Sequence, residues 1–222
     1  MSRRQGAEGF ESKKKLAKKA KNEAKRKSGT RAIRQSIILA CEGAKTESLY
    51  LKNIFATLQA EHVITSESFV IAEHKHTDPK GVLKDLLNYP NYQSFSHKWI
   101  VIDRDIERTN GGGHTAENFN EALAKAKSNN IEVAYSNPCF EIWYLLHLEY
   151  RNTGIDRDEL VKKLEDEFDY QKNRLFQKGD VNFAIANAKR LLKDYPHPNP
   201  EKDNPSTTVH KLLEVLEGFK LP

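Results

Sequence analysis

The sequence predicts an α/β fold with an open, mostly parallel sheet of about four strands, flanking helices and a helical C-terminal third. From residue 36 onward, short apolar runs alternate with helical patterns. The runs are continuously apolar, which is typical of strands whose two faces are both covered by helices. Helical patterns then dominate the last third of the chain.

Four segments rich in Ile, Val and aromatic residues are the predicted strands, namely residues 37–41, 69–72, 99–102 and 131–135. Helices are predicted between these strands, over residues 46–60, 79–87 and 116–128. Asp78, which precedes Pro79, and Thr115 are the expected N-caps of the second and third helices. Strands joined by helices in this way imply right-handed crossovers and a parallel sheet.

The last third is predicted to contain four helices and one irregular stretch rich in proline before the last helix. The helices are expected over residues 137–149, after a cap at Asp156 that pairs with Glu159, over residues 181–194, and after a cap at Ser206.

The charge is divided unevenly along the chain, whose formal net charge is +5. Residues 1–35 carry 13 basic and three acidic residues, a net charge of +10, whereas residues 36–222 have a net charge of −5. The predicted organisation is a flexible basic N-terminal arm over residues 1–35 and one α/β domain over residues 36–222. Such an arm can neutralise the phosphates of RNA or DNA with little sequence selectivity, and a solvated tail without a specific role is the alternative.

Composition excludes several classes of protein. The chain has no run of about 18 apolar residues, and its N-terminus is charged where a secretory signal needs an apolar stretch. Two cysteines, Cys41 and Cys139, are too few for a disulfide scaffold or a four-cysteine zinc site. We therefore expect a soluble, cytoplasmic protein with no membrane association.

Acidic and polar residues follow three of the predicted strands. Glu42 follows the first strand, Asp103 and Asp105 follow the third, and Asn137 and Glu141 follow the fourth. Ligands of open α/β sheets bind beyond the carboxyl ends of the strands, so these side chains are expected to converge. Carboxylates buried together repel each other, and a hard divalent cation, Mg²⁺ or Mn²⁺, compensates them. The alternatives are a turn-and-cap pair for the two aspartates and an ordinary loop residue for Glu42.

Further residues near these carboxylates have candidate roles. Lys45 and Arg104 flank the acidic residues, where they either offset phosphate charge or face solvent. Asn137 is expected to cap the following helix, whose N-terminus can also bind phosphate. Glu141 is a candidate ligand of a second ion. Glu47, in the first turn of a helix, is interpreted as stabilising the helix N-terminus rather than as a metal ligand.

Four blocks of sequence, in order, resemble the RloB-like family, whose body is similar to the Toprim catalytic fold of primases, topoisomerases and overcoming-lysogenization-defect nucleases. The blocks are residues 38–47, 102–105, 136–143 and 204–210. The resemblance implies a Toprim-like fold whose magnesium site consists here of Glu42, Asp103 and Asp105. It also implies a role in prokaryotic defence against phage, together with an ATPase partner subunit.

The leading hypothesis is metal-dependent cleavage of phosphodiester bonds in RNA or DNA, tRNA included, with Glu42, Asp103 and Asp105 as the catalytic residues. Nuclease activity is an inference from the wider Toprim group. One alternative is a sensor or regulatory subunit that binds nucleic acid or a nucleotide without cleaving it. Another is an interaction module that regulates an ATPase through its C-terminal helices.

Overall fold

The computed structural model describes residues 35–61, 68–108 and 111–219. The predicted basic arm, residues 1–35, lies outside the described residues apart from its last residue, Gln35. The helices and strands are, in chain order, β1 (Ile37–Cys41), α1 (Thr46–Ala60), β2 (Phe69–Ile71), α2 (Pro79–Leu87), β3 (His97–Asp103), α3 (Ala116–Ser128), β4 (Glu132–Asn137), α4 (Glu141–Leu146), α5 (Arg157–Phe168), α6 (Val181–Lys193), β5 (Ser206–Thr207) and α7 (Val209–Glu217).

The strands form one sheet in the order β2-β1-β3-β4-β5. β1 pairs in parallel with β2 and β3, and β3 pairs in parallel with β4. β5 pairs antiparallel with β4 at the edge of the sheet. The predicted α/β class and the mostly parallel sheet with helices toward the C-terminus are confirmed. β5 is the strand that the sequence did not predict.

Helix starts follow the capping residues in the sequence. The Asp78 side chain accepts a hydrogen bond from the Gly81 N–H at 3.1 Å, and the Thr115 hydroxyl accepts one from the Asn118 N–H at 3.2 Å. Both predicted N-caps are confirmed. A side-chain acceptor satisfies one of the free N–H groups in the first helical turn, which fixes where α2 and α3 begin.

Two predicted helix starts in the last third are wrong, and the first of these helices ends at Leu146 rather than near residue 149. Asn137 does not cap a helix: it is the last residue of β4, and it pairs with Ser206 of β5. α4 therefore begins only at Glu141 and has no side-chain cap. Ser206 does not cap the final helix either, because it lies in β5, and α7 begins at Val209. In both places pairing across the sheet outweighs the local preference for a cap.

The sheet is covered on both faces by helices, as the continuously apolar strands predicted. On one face, Leu39 and Val101 belong to a large cluster of buried side chains that draws on α1 and on α4 to α7. On the other face, Ala40 and Ile100 belong to a smaller cluster with α2 and α3. The polar residues at the carboxyl ends of β1 and β3 thus lie at one edge of the buried, apolar sheet. None of the helices within the described residues is long and apolar enough to cross a membrane.

Candidate functional site

A cavity of about 790 Å³ opens at the carboxyl ends of β1 and β3. Seven acidic residues line it. Asp158 and Glu165 are exposed, and the other five, which come from four separate parts of the chain, are Glu42, Glu47, Asp103, Asp105 and Glu141. The structure therefore brings together the four acidic residues predicted for the site and adds Glu47 to them.

Glu42 lies directly after β1 and faces β3. Its Oε2 accepts a hydrogen bond of 3.0 Å from the backbone N–H of Asp103, while its own N–H donates to the Val101 carbonyl at 2.9 Å. Burial raises the pKa of Glu42 to about 8, and the charges of Glu47 and Asp105 raise it further against the lowering effect of the Asp103 N–H. The Glu42 side chain thus holds a fixed position and retains a proton near neutral pH.

Asp103 is the last residue of β3, and its side chain is buried at 6% exposure. Its Oδ1 atom is buried without any hydrogen-bond partner. Burial and the charges of Glu47 and Glu42 raise the pKa of Asp103 well above its ordinary value. An unpartnered buried carboxylate oxygen is costly, so this atom indicates a place where a cation or a proton is required.

Asp105 differs from Asp103 because two arginines neutralise it. Its Oδ2 accepts a hydrogen bond from Arg157 and another, of 3.3 Å, from Nη2 of Arg108. Arg157 Nη1 also lies 4.0 Å from Asp103 Oδ2. Arg157 is the first residue of α5, and the chain between it and β3 gives no local signal that the two meet. Sequence reasoning missed this residue for that reason.

The position of Glu47 was predicted correctly, but its place in the site was not. It does lie in the first turn of α1, as expected, but its side chain is buried and lines the cavity. Burial raises the pKa of Glu47 to about 7, and the charge of Glu141 adds to this effect. A Cβ atom added to Gly43 would lie 1.7 Å from Glu47 Oε2. The glycine four residues before Glu47 was the available signal, because the carboxylate fills the space that a side chain would take.

Glu141, the first residue of α4, is buried in the same cavity. Its Oε1 accepts a hydrogen bond of 2.8 Å from the Tyr170 hydroxyl. This hydrogen bond orients the carboxylate and supplies part of the compensation that a buried charge needs.

The three residues predicted to bind substrate have different surroundings. Lys45 is exposed and lines the cavity. Arg104 is buried and does not line the cavity. Its guanidinium packs against Phe119 instead, with the guanidinium carbon 5.9 Å from the centre of the ring. Asn137 does not line it either: its Nδ2 donates to the carbonyls of Pro200 and Glu201 at 3.3 and 3.2 Å. The other long cationic side chains at the cavity are those of Arg108, Arg157, Lys162 and Lys172.

His114 is buried next to Glu42. Its Nδ1 lies 3.8 Å from Glu42 Oε1, and neither ring nitrogen has a hydrogen-bond partner. Burial lowers the pKa of His114 to about 4, with the charge of Arg104 acting in the same direction. The backbone N–H of His114 donates to the Asp105 carbonyl at 2.9 Å, which holds the loop after β3 in place.

The donor set suits a hard divalent cation, because all five carboxylates offer oxygen ligands and Asp103 Oδ1 has no partner. Across residues 35–61, 68–108 and 111–219, however, no group of three or more His, Cys, Asp or Glu side chains is already arranged to hold a metal ion. Arg157 instead provides the nearest positive charge to the two aspartates. The carboxylates are the type of ligand that magnesium prefers, and the Arg157 guanidinium occupies part of the space between Asp103 and Asp105.

Comparison with known proteins gives one family. The family model described as RloB-like protein matches residues 37–216, which is most of the chain. Searches of curated proteins and of solved structures found no significant match. The matched range begins at β1 and ends within α7, so it contains all the residues of the acidic cavity.

Proposed function

Since this chain belongs to the RloB-like family, we propose that it is a metal-dependent, phosphodiester-cleaving protein of prokaryotic defence against phage. The observation that supports this most directly is the unpartnered, buried Oδ1 of Asp103 beside Glu42 and Asp105 at the carboxyl end of the sheet. A cytoplasmic location and an ATPase partner subunit belong to the same proposal.

Asp103 and Asp105 are the proposed ligands of Mg²⁺ or Mn²⁺, and Glu141 is the proposed ligand of a second ion. When bound, the cation supplies Lewis-acid polarisation of the phosphodiester group. Glu42 either shares in metal binding or carries a proton. Its Oε2 accepts the Asp103 N–H, which holds the carboxyl group in position to share in metal binding or to give a proton to the leaving oxygen.

The substrate in this proposal is RNA or DNA, tRNA included. Lys45, Arg108, Lys162 and Lys172 line the cavity and offset the charge of a nucleic-acid backbone near the carboxylates. The basic arm, residues 1–35, adds affinity that does not depend on sequence. The arm tethers the substrate in this account, and the acidic cavity is a separate site that cleaves it.

Two observations favour a second function, that of a sensor subunit that binds a nucleotide or nucleic acid without cleaving it. Arg157 and Arg108 already neutralise Asp105, and no metal-ligand group is preformed within the described residues. A cavity in which arginines already compensate the carboxylates can bind a phosphate through those arginines, without a metal ion.

The two functions are separated by incubating the protein with RNA, DNA and tRNA in Mg²⁺, in Mn²⁺ and in EDTA. We expect cleavage in the metal-containing samples only. Loss of a residue that only supports a metal ligand typically costs roughly 10- to 100-fold in activity. D103N should lower the cleavage rate by more than this, because it removes a metal ligand itself. D169N is the matched control: the Asp169 side chain is 79% exposed and pairs with Lys178, and neither residue lines the cavity.

The control should keep wild-type activity, and circular dichroism should show both variants folded. Binding of nucleic acid without cleavage under every condition would favour the sensor function. Cleavage by D103N at the wild-type rate would exclude the proposed site.

A further inference from the structure

The side chain of Arg157 connects the C-terminal helices to the acidic cavity. It extends from the first turn of α5, whose start is fixed by a hydrogen bond of 2.8 Å from the Glu159 N–H to the Asp156 carboxylate. Its guanidinium contacts Asp105 Oδ2 and lies 4.0 Å from Asp103 Oδ2. Its side chain is only 21% exposed, so most of it is enclosed by the protein.

The guanidinium and a metal ion compete for the same two carboxylate groups, those of Asp103 and Asp105. Asp105 Oδ2 already accepts hydrogen bonds from both Arg157 and Arg108, which leaves little capacity for a cation at that atom. Asp103 Oδ1, in contrast, has no partner and is buried. A divalent cation that binds Asp103 and Asp105 together is therefore expected to displace Arg157, because two positive charges at this distance repel each other.

The structure offers room for the displaced side chain. A second cavity, of about 760 Å³, adjoins the first, and both are lined by Asp105, Arg108 and Arg157. The guanidinium stands at the boundary between the two cavities. Because Arg157 lines both cavities, open volume is available to its side chain when it leaves the aspartates.

We propose that Arg157 is the counterion of the metal-free site, that it leaves Asp103 and Asp105 when a divalent cation binds, and that the released guanidinium then binds the substrate's backbone phosphate. Displacement by metal requires only that the site binds a cation. Phosphate binding rests on the proposed nuclease or nucleic-acid-binding function. Arginine suits both positions because its planar guanidinium forms paired hydrogen bonds with carboxylates and with phosphates.

The displacement is tested by titrating wild type, R157Q and R151Q with Mn²⁺ in a calorimeter at about pH 8.5, where protons compete less for the carboxylates. R157Q should bind Mn²⁺ about tenfold or more tightly than wild type, because the competing charge has been removed. R151Q is the matched control. The Arg151 side chain is also 21% exposed and pairs with a carboxylate, Glu159, but it lines neither cavity.

R151Q should bind Mn²⁺ with wild-type affinity. Equal or weaker Mn²⁺ binding by R157Q than by wild type would overturn the proposal. Because loss of Arg157 leaves carboxylates uncompensated, R157Q can fail to fold without metal. A second experiment therefore uses the unmodified protein.

In that experiment, wild-type protein is treated with phenylglyoxal, which modifies accessible arginines, with and without saturating Mn²⁺, and the modified peptides are quantified by mass spectrometry. Modification of Arg157 should increase severalfold with Mn²⁺, whereas that of Arg151 should not change. Unchanged or reduced modification of Arg157 would overturn the displacement.

The phosphate-binding step is tested with a single-stranded oligonucleotide, in Ca²⁺ to limit cleavage. R157Q should bind it about tenfold more weakly than wild type, and R151Q should bind like wild type; equal binding by R157Q would overturn this step. These outcomes are distinct from failure of the proposed function. If R157Q bound Mn²⁺ more tightly than wild type but the protein cleaved no nucleic acid, the counterion role of Arg157 would stand and the nuclease function would be excluded.

Discussion

At the scale of single residues, Gly43 determines where the Glu47 carboxylate lies. A Cβ atom at position 43 would lie 1.7 Å from Glu47 Oε2, and a backbone so close to a buried carboxylate leaves no room for a methyl group. The G43A variant should therefore displace the Glu47 carboxyl group from the cavity and lose about 1 kcal/mol of unfolding free energy, the low end of the cost of overpacking, because this group is the end of a side chain that can turn. Urea denaturation measures this loss.

The matched control for this substitution is G154A. A Cβ atom at Gly154 would have its nearest neighbour, the Asn204 carbonyl oxygen, at an ordinary 3.6 Å. G154A should unfold within about 0.5 kcal/mol of wild type, like most surface substitutions. If G43A were as stable as G154A and still bound Mn²⁺ normally, the enclosed position of Glu47 would have no consequence for the site.

The raised pKa values of Glu42 and Glu47 predict how the stability of the metal-free protein depends on pH. In the folded protein these values are about 8 and about 7, whereas both groups have an ordinary value of 4.5. The folded state therefore binds more protons than the unfolded state over this range. The resulting stability is fully present below pH 4.5 and is lost as the pH rises through 7 and 8. His114, His147 and His210, whose pKa values fall to about 4, act in the opposite direction only below about pH 6.5.

Between about pH 6.5 and 8, urea denaturation in EDTA should thus show decreasing stability, by at most about 1.4 kcal/mol per pH unit for each carboxyl group. E42Q should flatten this decrease, because glutamine does not titrate. Stability of wild type that is constant or rising over the same range would contradict the buried, proton-retaining state of these carboxyls.

At the scale of elements, the sequence predicted best those helices whose ends carry their own signals. The bounds of α1, α2 and α3 agree with the predicted ranges, and the caps at Asp78 and Thr115 account for two of these agreements. β5 was missed because two polar residues, Ser206 and Thr207, show no periodicity. It forms through tertiary contacts such as that between the Ser136 and Thr207 hydroxyls, which are 3.0 Å apart.

The same distinction holds for the site. Glu42, Asp103 and Asp105 were predictable because they directly follow apolar strands, and parallel strands bring their carboxyl ends together. Arg157 was not predictable because it reaches the aspartates from α5, and nothing in the local pattern specifies where α5 docks on the sheet. Residues positioned by the sheet follow from sequence, whereas residues positioned by packing of the last third require the structure.

At the scale of the whole molecule, charge separates the chain into a basic arm with a net charge of +10 and a body with a net charge of −5. The family match begins at residue 37, after the arm. The arm should contribute nucleic-acid affinity and salt dependence, and the metal site should not depend on it. Replacing arm lysines with glutamine should reduce the slope of log affinity against log salt by about 0.9 for each phosphate of duplex DNA that the arm no longer neutralises.

Fluorescence anisotropy at several salt concentrations measures this slope for a variant with glutamine at Lys13, Lys14, Lys18 and Lys19. The control variant carries glutamine at four exposed lysines of α3 and α6, namely Lys125, Lys127, Lys189 and Lys193. The arm variant should lose more affinity than the control and bind Mn²⁺ like wild type. Weaker Mn²⁺ binding by the arm variant would contradict the separation of arm and site.

The most direct test of the metal site is anomalous diffraction from crystals of the protein grown with Mn²⁺. We predict a manganese peak between Asp103 and Asp105, with carboxylate oxygens about 2.0–2.3 Å away and the Arg157 guanidinium displaced from both aspartates. Absence of a peak in this cavity at saturating Mn²⁺, or a peak elsewhere with Arg157 still bound to Asp105, would contradict the account.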